Sequence, residues 1–239
     1  MKTVCRQMFL KGVLTGICSL FLSGWSVSGQ ELYSFNRKIV NWGFKVGLSA
    51  NAVRHLWGVQ GEEELDDVSF QNKTGATVTG FFRINFDRFF IQPEIGWSTV
   101  NKDILFSFPS EETYSQLFEL SFRSQTLNAN GLIGYNITKT GPFVFNVYTG
   151  TSLHYKYDTR YTTLPSRSEH YDFNSVYNAF GVFGFSMNIS NVHFDIRYAL
   201  SMFPTNMNFN DIADKPDWLD GVILYKSENL LSFSFGVMF

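Results

Sequence analysis

The chain has 239 residues, a formal net charge of −2, 18% aromatic residues and only 17% charged residues. That length fits one domain, with or without a removable leader, and the slight negative charge gives no electrostatic footprint for nucleic acid. So low a charged fraction, beside 26 phenylalanines, departs from the composition of soluble domains and suits a lipid-facing surface.

The first 29 residues read as a signal peptide. Lys2, Arg6 and Lys11 form a basic start, Gly12 to Leu22 is mostly apolar, and Val27-Ser28-Gly29 offers a cleavage site before Gln30. The apolar stretch is about a dozen residues, short of the roughly 20 that a spanning helix needs. Both cysteines, Cys5 and Cys18, lie inside this leader, and Thr15-Gly16-Ile17 before Cys18 makes a poor lipoprotein box. The mature chain then holds neither disulfides nor thiolate chemistry. Residues 30–40 are expected to form a periplasmic N-terminal segment, and residues 41–239 the folded domain.

Eight segments of period-two alternation follow, separated by gaps that are alternately long and short. The first strand, Asn41 to Asn51, places Phe44, Val46, Leu48 and Ala50 on one face. A long gap holding Glu62-Glu63-Glu64 and Asp66-Asp67 leads to the second strand, Thr74 to Phe86, with Val78, Phe82, Ile84 and Phe86 aligned. Asp87-Arg88 is a tight connection to the third strand, Phe89 to Val100, in which Pro93 removes a ladder donor and suggests a bulge. After a gap from Asn101 to about Phe118, the fourth strand centres on Leu127 to Ile137. Phe118, Leu120 and Phe122 share a parity that Leu127 breaks, which suggests an irregular start. Thr138 to Gly141 is a short turn into the fifth strand, Phe143 to Tyr157. A gap from Asp158 to Asp172 leads to the sixth, Tyr177 to Ile189, and Ser190-Asn191 turns into the seventh, Val192 to Met202. The longest gap, Phe203 to about Ser227, precedes the closing strand, Leu231 to Phe239.

This order describes an all-β, eight-stranded antiparallel up-and-down barrel. Which face points outward follows from where the charges fall. The apolar parity carries no charge within the strand cores, whereas Lys45, Arg83, Glu94, Lys156, Asp195 and Arg197 share the other parity. A Lys or Arg facing lipid at the midplane costs about 2–4 kcal/mol, so a transmembrane barrel demands this segregation. The remaining inward positions are mostly Gly, Ser, Thr and Asn, too sparsely charged for the water face of a soluble barrel. With the leader and the terminal Phe235, Val237 and Phe239, a C-terminal signal for the barrel-assembly machinery, the expected location is the outer membrane. Short turns would then be periplasmic and long loops extracellular. Trp42, Phe86, Phe89, Tyr135, Phe143 and Phe239 are expected in the periplasmic aromatic girdle, and Trp97 and Tyr155 in the outer one.

Four stretches carry a family likeness. GFKVGLSAN (Gly43 to Asn51), FFIQPEIGWS (Phe89 to Ser98, with Gln92-Pro93-Glu94 at its centre), FDIRYALSM (Phe194 to Met202) and Leu231 to Phe239 together resemble the PorT-like outer-membrane barrels of Bacteroidetes. The resemblance spans the mature chain and implies an eight-stranded barrel folded from the periplasm. Some members of that family act in secretion of surface proteins or in gliding.

Candidate sites divide by what their spacing allows. Lys45, Arg83, Glu94, Asp195 and Arg197 are expected to pair as a lumen plug, since eight strands leave an interior just wide enough for side chains. The alternative is a polar site or a conduction path for small solutes. Ser152 and His154 on the fifth strand, with Glu169-His170 in the third loop, raise an outer-leaflet lipid hydrolase, which needs serine, histidine and acid within hydrogen-bond reach. His193 is expected at the periplasmic rim and His55 in a loop. Asp211, Asp214, Asp217 and Asp220 lack the alternate-residue spacing and bidentate Glu of a calcium loop and read as solvated, as does Glu62 to Asp67. No cofactor, metal or nucleic-acid partner is expected. Tyr155, Tyr157, Tyr161 and Tyr171, around the third loop, are the candidate surface contacts. The expectation is a non-enzymatic outer-membrane barrel, in contact with membrane lipid and serving a structural, assembly or secretion-accessory role, with a secretion or surface-protein partner at its loops.

Overall fold

The computed structural model describes residues 38–61, 63–64, 66–72, 74–107, 117–138, 143–163, 167–170, 176–209 and 220–239. The proposed leader and all but the last three residues of the 30–40 segment lie outside the described residues. So do Tyr171, Asp211, Asp214 and Asp217, and of the side chains of Tyr161 and His170 nothing is said.

Eight long strands form the wall: β1 Val40–Gln60, β2 Gly75–Phe86, β3 Phe89–Ser107, β4 Leu117–Asn136, β5 Phe143–Thr163, β6 Val176–Ile189, β7 Val192–Ser201 and β8 Val222–Met238. Each pairs antiparallel with the next, and β8 returns to β1 from Gly43↔Met238 up to Gln60↔Val222, which closes the ring. Closure removes the exposed ladder edges that an open sheet would present. The last residue is tied in as well: the Phe239 N–H donates to the Trp42 carbonyl (2.7 Å), and the Trp42 N–H donates back (3.1 Å). Four short strands, Glu63–Glu64, Asp66–Asn72, Arg167–His170 and Thr205–Asn208, pair onto the long-loop ends of β1, β3, β5 and β8.

Short connections gather at one end of the barrel. Asp87 and Ser190 adopt left-handed backbone (φ 56° and 51°) to turn β2 into β3 and β6 into β7. Asp suits that conformation because its short polar side chain tolerates it. Between β4 and β5, the Thr138 hydroxyl donates to the Phe143 carbonyl and accepts from the Phe145 N–H, both at 2.9 Å.

The wall is taller than the alternation suggests. The first strand runs on to Gln60 instead of ending at Asn51, the third reaches Ser107, the fourth starts at Leu117 and the eighth at Val222. In β1 a bulge between Val53 and His55 breaks the alternation, and in β3 the outward residues above Trp97 turn polar (Thr99, Asn101, Asp103), so the period-two signal fades while the backbone ladder continues. The suspected irregularity in the fourth strand lies elsewhere. The β3–β4 register is unbroken from Phe89↔Tyr135 to Ser107↔Leu117. The extra residue is in β5, where Asp158 faces Gln125 and Lys156 faces Thr126. Phe122 breaks parity because it points inward and is buried, above the level of the lipid-facing band. Pro93 makes no bulge either: it leaves Phe82 and Arg83 unpaired toward β3 while the register resumes unchanged at Ile84↔Ile91.

Candidate functional site

Alternation sends every second side chain into the lumen, and the registers decide which of them meet. Lys45 on β1 and Asp195 on β7 are separated by β8, where they face Gly236 and Ser234 respectively. A Cβ at Gly236 would lie 2.7 Å from the Lys45 Cβ, so a small residue here lets the lysine turn inward. The Lys45 ammonium then bonds Asp195 and, at 2.9 Å, Glu94.

Glu94 is the hub. Its carboxylate accepts from Lys45, from Gln92 Nε2 (2.7 Å), from Asn130 Nδ2 (2.8 Å) and from both terminal nitrogens of Arg197 (2.8 and 3.0 Å). Asp195 accepts from Lys45, the Tyr148 hydroxyl and Arg197 Nη2 (3.1 Å). Buried carboxylates survive only when paired and hydrogen-bonded to this degree. The five residues singled out from the sequence are thus brought together, but Arg83 reaches the hub only through Gln92, to which its Nε donates at 2.6 Å. Its guanidinium lies over the Phe90 ring, 4.1 Å from the centroid.

Sequence reasoning missed the partners that complete the cluster. Tyr148 sits opposite in parity to the outward Val147, so its direction was legible, but its contact with Asp195 was not. Gln92 and Asn130 carried no signal beyond parity. An apolar packet of Phe90, Leu132, Tyr148, Phe180, Val182 and Ala199 also fills the interior, where mostly small polar residues were expected.

A second charged layer lies nearer the long-loop end. Lys102 bonds Glu228, and Lys226 Nζ lies 2.7 Å from the other Glu228 oxygen. Between the layers is a cavity of about 70 Å³, lined by Ser98, Asn128, Ser152, His154 and Ser232 among others. That volume admits several water molecules. Above the lysines, Ile104, Phe122, Phe209, Val222 and Leu224 are buried, with the Phe122 and Phe209 rings 6.2 Å apart. They form an apolar collar.

The histidines are placed as follows. His154 faces inward as expected, its ring 4.5 Å from Phe180. Ser152 donates its hydroxyl to Asn130, not to the histidine, so the described residues hold no serine–histidine–acid set. His193, the second residue of β7 after the short turn, sits at that end of the barrel as expected, but it is fully buried, 2.5 Å from Asn188 Oδ1 and 5.2 Å from the Phe81 ring. It shares the inward parity of Asp195 and Arg197. No group of three metal-ligating side chains occurs among the described residues.

Outside, two aromatic rows bracket the apolar band. At the short-turn end, Trp42 packs on Phe239 (4.9 Å) and Phe89 on Tyr135 (5.2 Å). Phe235 packs on Phe194 within the band (5.2 Å), two residues before Val237 and four before Phe239. At the long-loop end, Tyr155 stacks on Tyr177 (4.8 Å) and Trp57 on Tyr225 (4.1 Å). Tyr157 accepts a hydrogen bond from Trp97 Nε1 (2.9 Å) and donates to Gln125 (2.8 Å). Tyr155 and Tyr157 are therefore wall residues of β5, below the loop.

No curated protein matches the chain in sequence. Among solved structures it is similar to the outer membrane protein OprG from Pseudomonas aeruginosa (TM-score 0.52, 10% identity, covering 84% of this chain and 97% of that one). It is also similar to Neisserial surface protein A (0.40, 14%, 82% and 95%) and to Ail, the attachment invasion locus protein of Yersinia pestis (0.37, 12%, 84% and 100%). A family model described as an outer membrane protein beta-barrel domain matches residues 29–206. With its ring of eight antiparallel strands, charged lumen and two aromatic rows, the chain belongs to that family of outer-membrane barrels.

Proposed function

We propose that this barrel is a non-enzymatic, closed scaffold whose tall outer end docks a protein partner, in an assembly or secretion-accessory role. The observation that carries this reading is a lumen occupied at three levels: the Glu94–Lys45–Arg197–Asp195 network, the Lys102–Glu228–Lys226 layer and the collar around Phe122 and Phe209. A barrel filled in this way has its working surface outside, on the strand extensions and loops, where rigid scaffolds carry their contacts. The likeness of Gly43 to Asn51 and Phe89 to Ser98 to PorT-like barrels supports a role beside surface-protein secretion. The leader at residues 1–29 supports export across the inner membrane, and Phe235, Val237 and Phe239 support insertion by the barrel-assembly machinery. Tyr161, near the upper end of β5, and Tyr171 beyond it are the contacts retained in this reading, with Tyr155 and Tyr157 bracing the wall beneath them.

The test is mild cross-linking in native outer membranes followed by pull-down through a tag in the loop after β5. A stoichiometric protein partner is the expected result. Recovery of the barrel with lipid alone would overturn the assembly role.

A further inference from the structure

The outward face above the aromatic row carries a charge arrangement separate from that of the lumen. Arg123 on β4 and Arg160 on β5 stand directly opposite each other in register. Both are exposed on the outer side of the wall, since their neighbours Phe122, Ser124 and Thr159 turn inward, and the Thr159 and Ser124 hydroxyls bond at 3.2 Å inside. Like charges directly opposite on a sheet face repel. Arg160 has partial relief, with Nη2 3.5 Å from an Asp158 oxygen that also accepts from Gln125 (3.0 Å). The Arg123 side chain has none: among the described residues it makes no ion pair and no side-chain hydrogen bond. Across the strand Asp103 of β3 shares this face, where it accepts from Ser121 Oγ (2.6 Å) and has no ion pair with Arg123.

The depth of this patch follows from its neighbours. Gln125, two residues below Arg123 on the same face, bonds the Tyr157 hydroxyl, which in turn holds the Trp97 indole. Trp and Tyr gather where hydrocarbon meets headgroups, and two residues of a tilted strand rise about 5 Å. The arginine pair therefore stands just outside the hydrocarbon, at the level of headgroup phosphates, on the end that carries the long loops. Below it the wall is apolar and exposed, through Leu127 and Ile133 of β4 and Val147 and Leu153 of β5. A guanidinium fork matches phosphate oxygens in geometry as well as charge.

We propose that Arg123 and Arg160 bind the phosphate of an outer-leaflet phosphorylated glycolipid, whose acyl chains lie along the β4–β5 wall below. The phosphate relieves the repulsion between the two guanidinium groups, and the acyl chains cover the apolar surface beneath. The ligand also fixes the height of the barrel in the bilayer.

The full mature chain, refolded and placed in phosphatidylcholine nanodiscs, is titrated with bisphosphorylated lipid A and with its dephosphorylated form, with inorganic phosphate added in a separate arm. Binding is read by native mass spectrometry, and folding by heat-modifiable mobility. Wild type is expected to bind the bisphosphorylated lipid about 30-fold more tightly than R123S/R160S, the loss that follows from removing two basic residues at a membrane surface. Dephosphorylation should erase the difference, and inorganic phosphate should not compete. R123K, which keeps charge and insertion but loses the fork, should bind several-fold more weakly than wild type. R88S, at the opposite end of the barrel, should bind as wild type does. Equal binding by wild type and R123S/R160S would overturn the site, as would an equal loss in R88S, which would mean diffuse charge attraction. Competition by inorganic phosphate would overturn the lipid assignment.

Discussion

Glu94 is the residue on which the interior turns, because it has no access to water and accepts from five donors on four other side chains. Replacing it by Gln keeps the shape but leaves Lys45 and Arg197 sharing the single carboxylate of Asp195. Removing one partner of a buried ion pair costs about 3–5 kcal/mol, so Glu94→Gln should lower the urea midpoint of the vesicle-inserted barrel by a corresponding amount. An unchanged midpoint would mean that solvent reaches the site. The charge on Glu94 was legible as inward from alternation alone. That Lys45 and Arg197 share its plug was expected too, but which of them it meets directly, and that Asn130 joins, depends on the registers of β1, β4 and β7, which no local pattern states.

At the scale of the strand, small residues in the wall decide how the interior packs. A Cβ on Gly134 of β4 would lie 2.1 Å from Phe90 Cζ, and one on Gly184 of β6 would lie 2.4 Å from the Tyr148 hydroxyl. Each glycine is a flat place against which an inward ring rests. Gly134→Ala should therefore displace the Phe90 ring, and with it the Arg83 guanidinium stacked on it, at a cost of about 1–3 kcal/mol. Unfolding titration of the inserted protein measures this, and a neutral result would mean that Phe90 has another rotamer to occupy. Strand ends follow a different rule. They were legible where lipid imposes an apolar outward face, and illegible above it, where a bulge between Val53 and His55 interrupts β1 on its way to Gln60 and polar outward residues carry β3 to Ser107.

For the whole molecule, the filled lumen and the asymmetric ends lead to separate expectations. Among the described residues, the inward-facing Lys45, Arg83, Lys102, Lys156, Arg197 and Lys226 outnumber Glu94, Asp195 and Glu228, an excess of positive charge in a chain whose formal net charge is −2. Hydrophobic constrictions close pores by dewetting, and here the collar around Phe122 and Phe209 caps that charge. Proteoliposomes should accordingly swell no faster than empty vesicles in small sugars; faster swelling would mean that the collar opens. Orientation is tested by protease-accessible tags on intact cells. One at Ser166, beyond β5, should be cleaved and one at Lys139, between β4 and β5, should be protected, and the reverse pattern would invert the barrel.

Composition and alternation by themselves determined that this chain makes eight strands with an apolar outside and a sparsely charged inside. They could do so because lipid penalises a misplaced charge by several kcal/mol at every outward position of the spanning band. That constraint is local and repeats every second residue, so it is written along the chain. Only the tertiary structure decided that Lys45 meets Asp195 across Gly236 and Ser234, that His193 packs between Asn188 and Phe81, that Phe122 and Phe209 cap the lumen, and that Arg123 stands opposite Arg160. Those contacts join residues far apart in sequence, and a register shift of one position on any strand would turn their side chains to the other face of the wall.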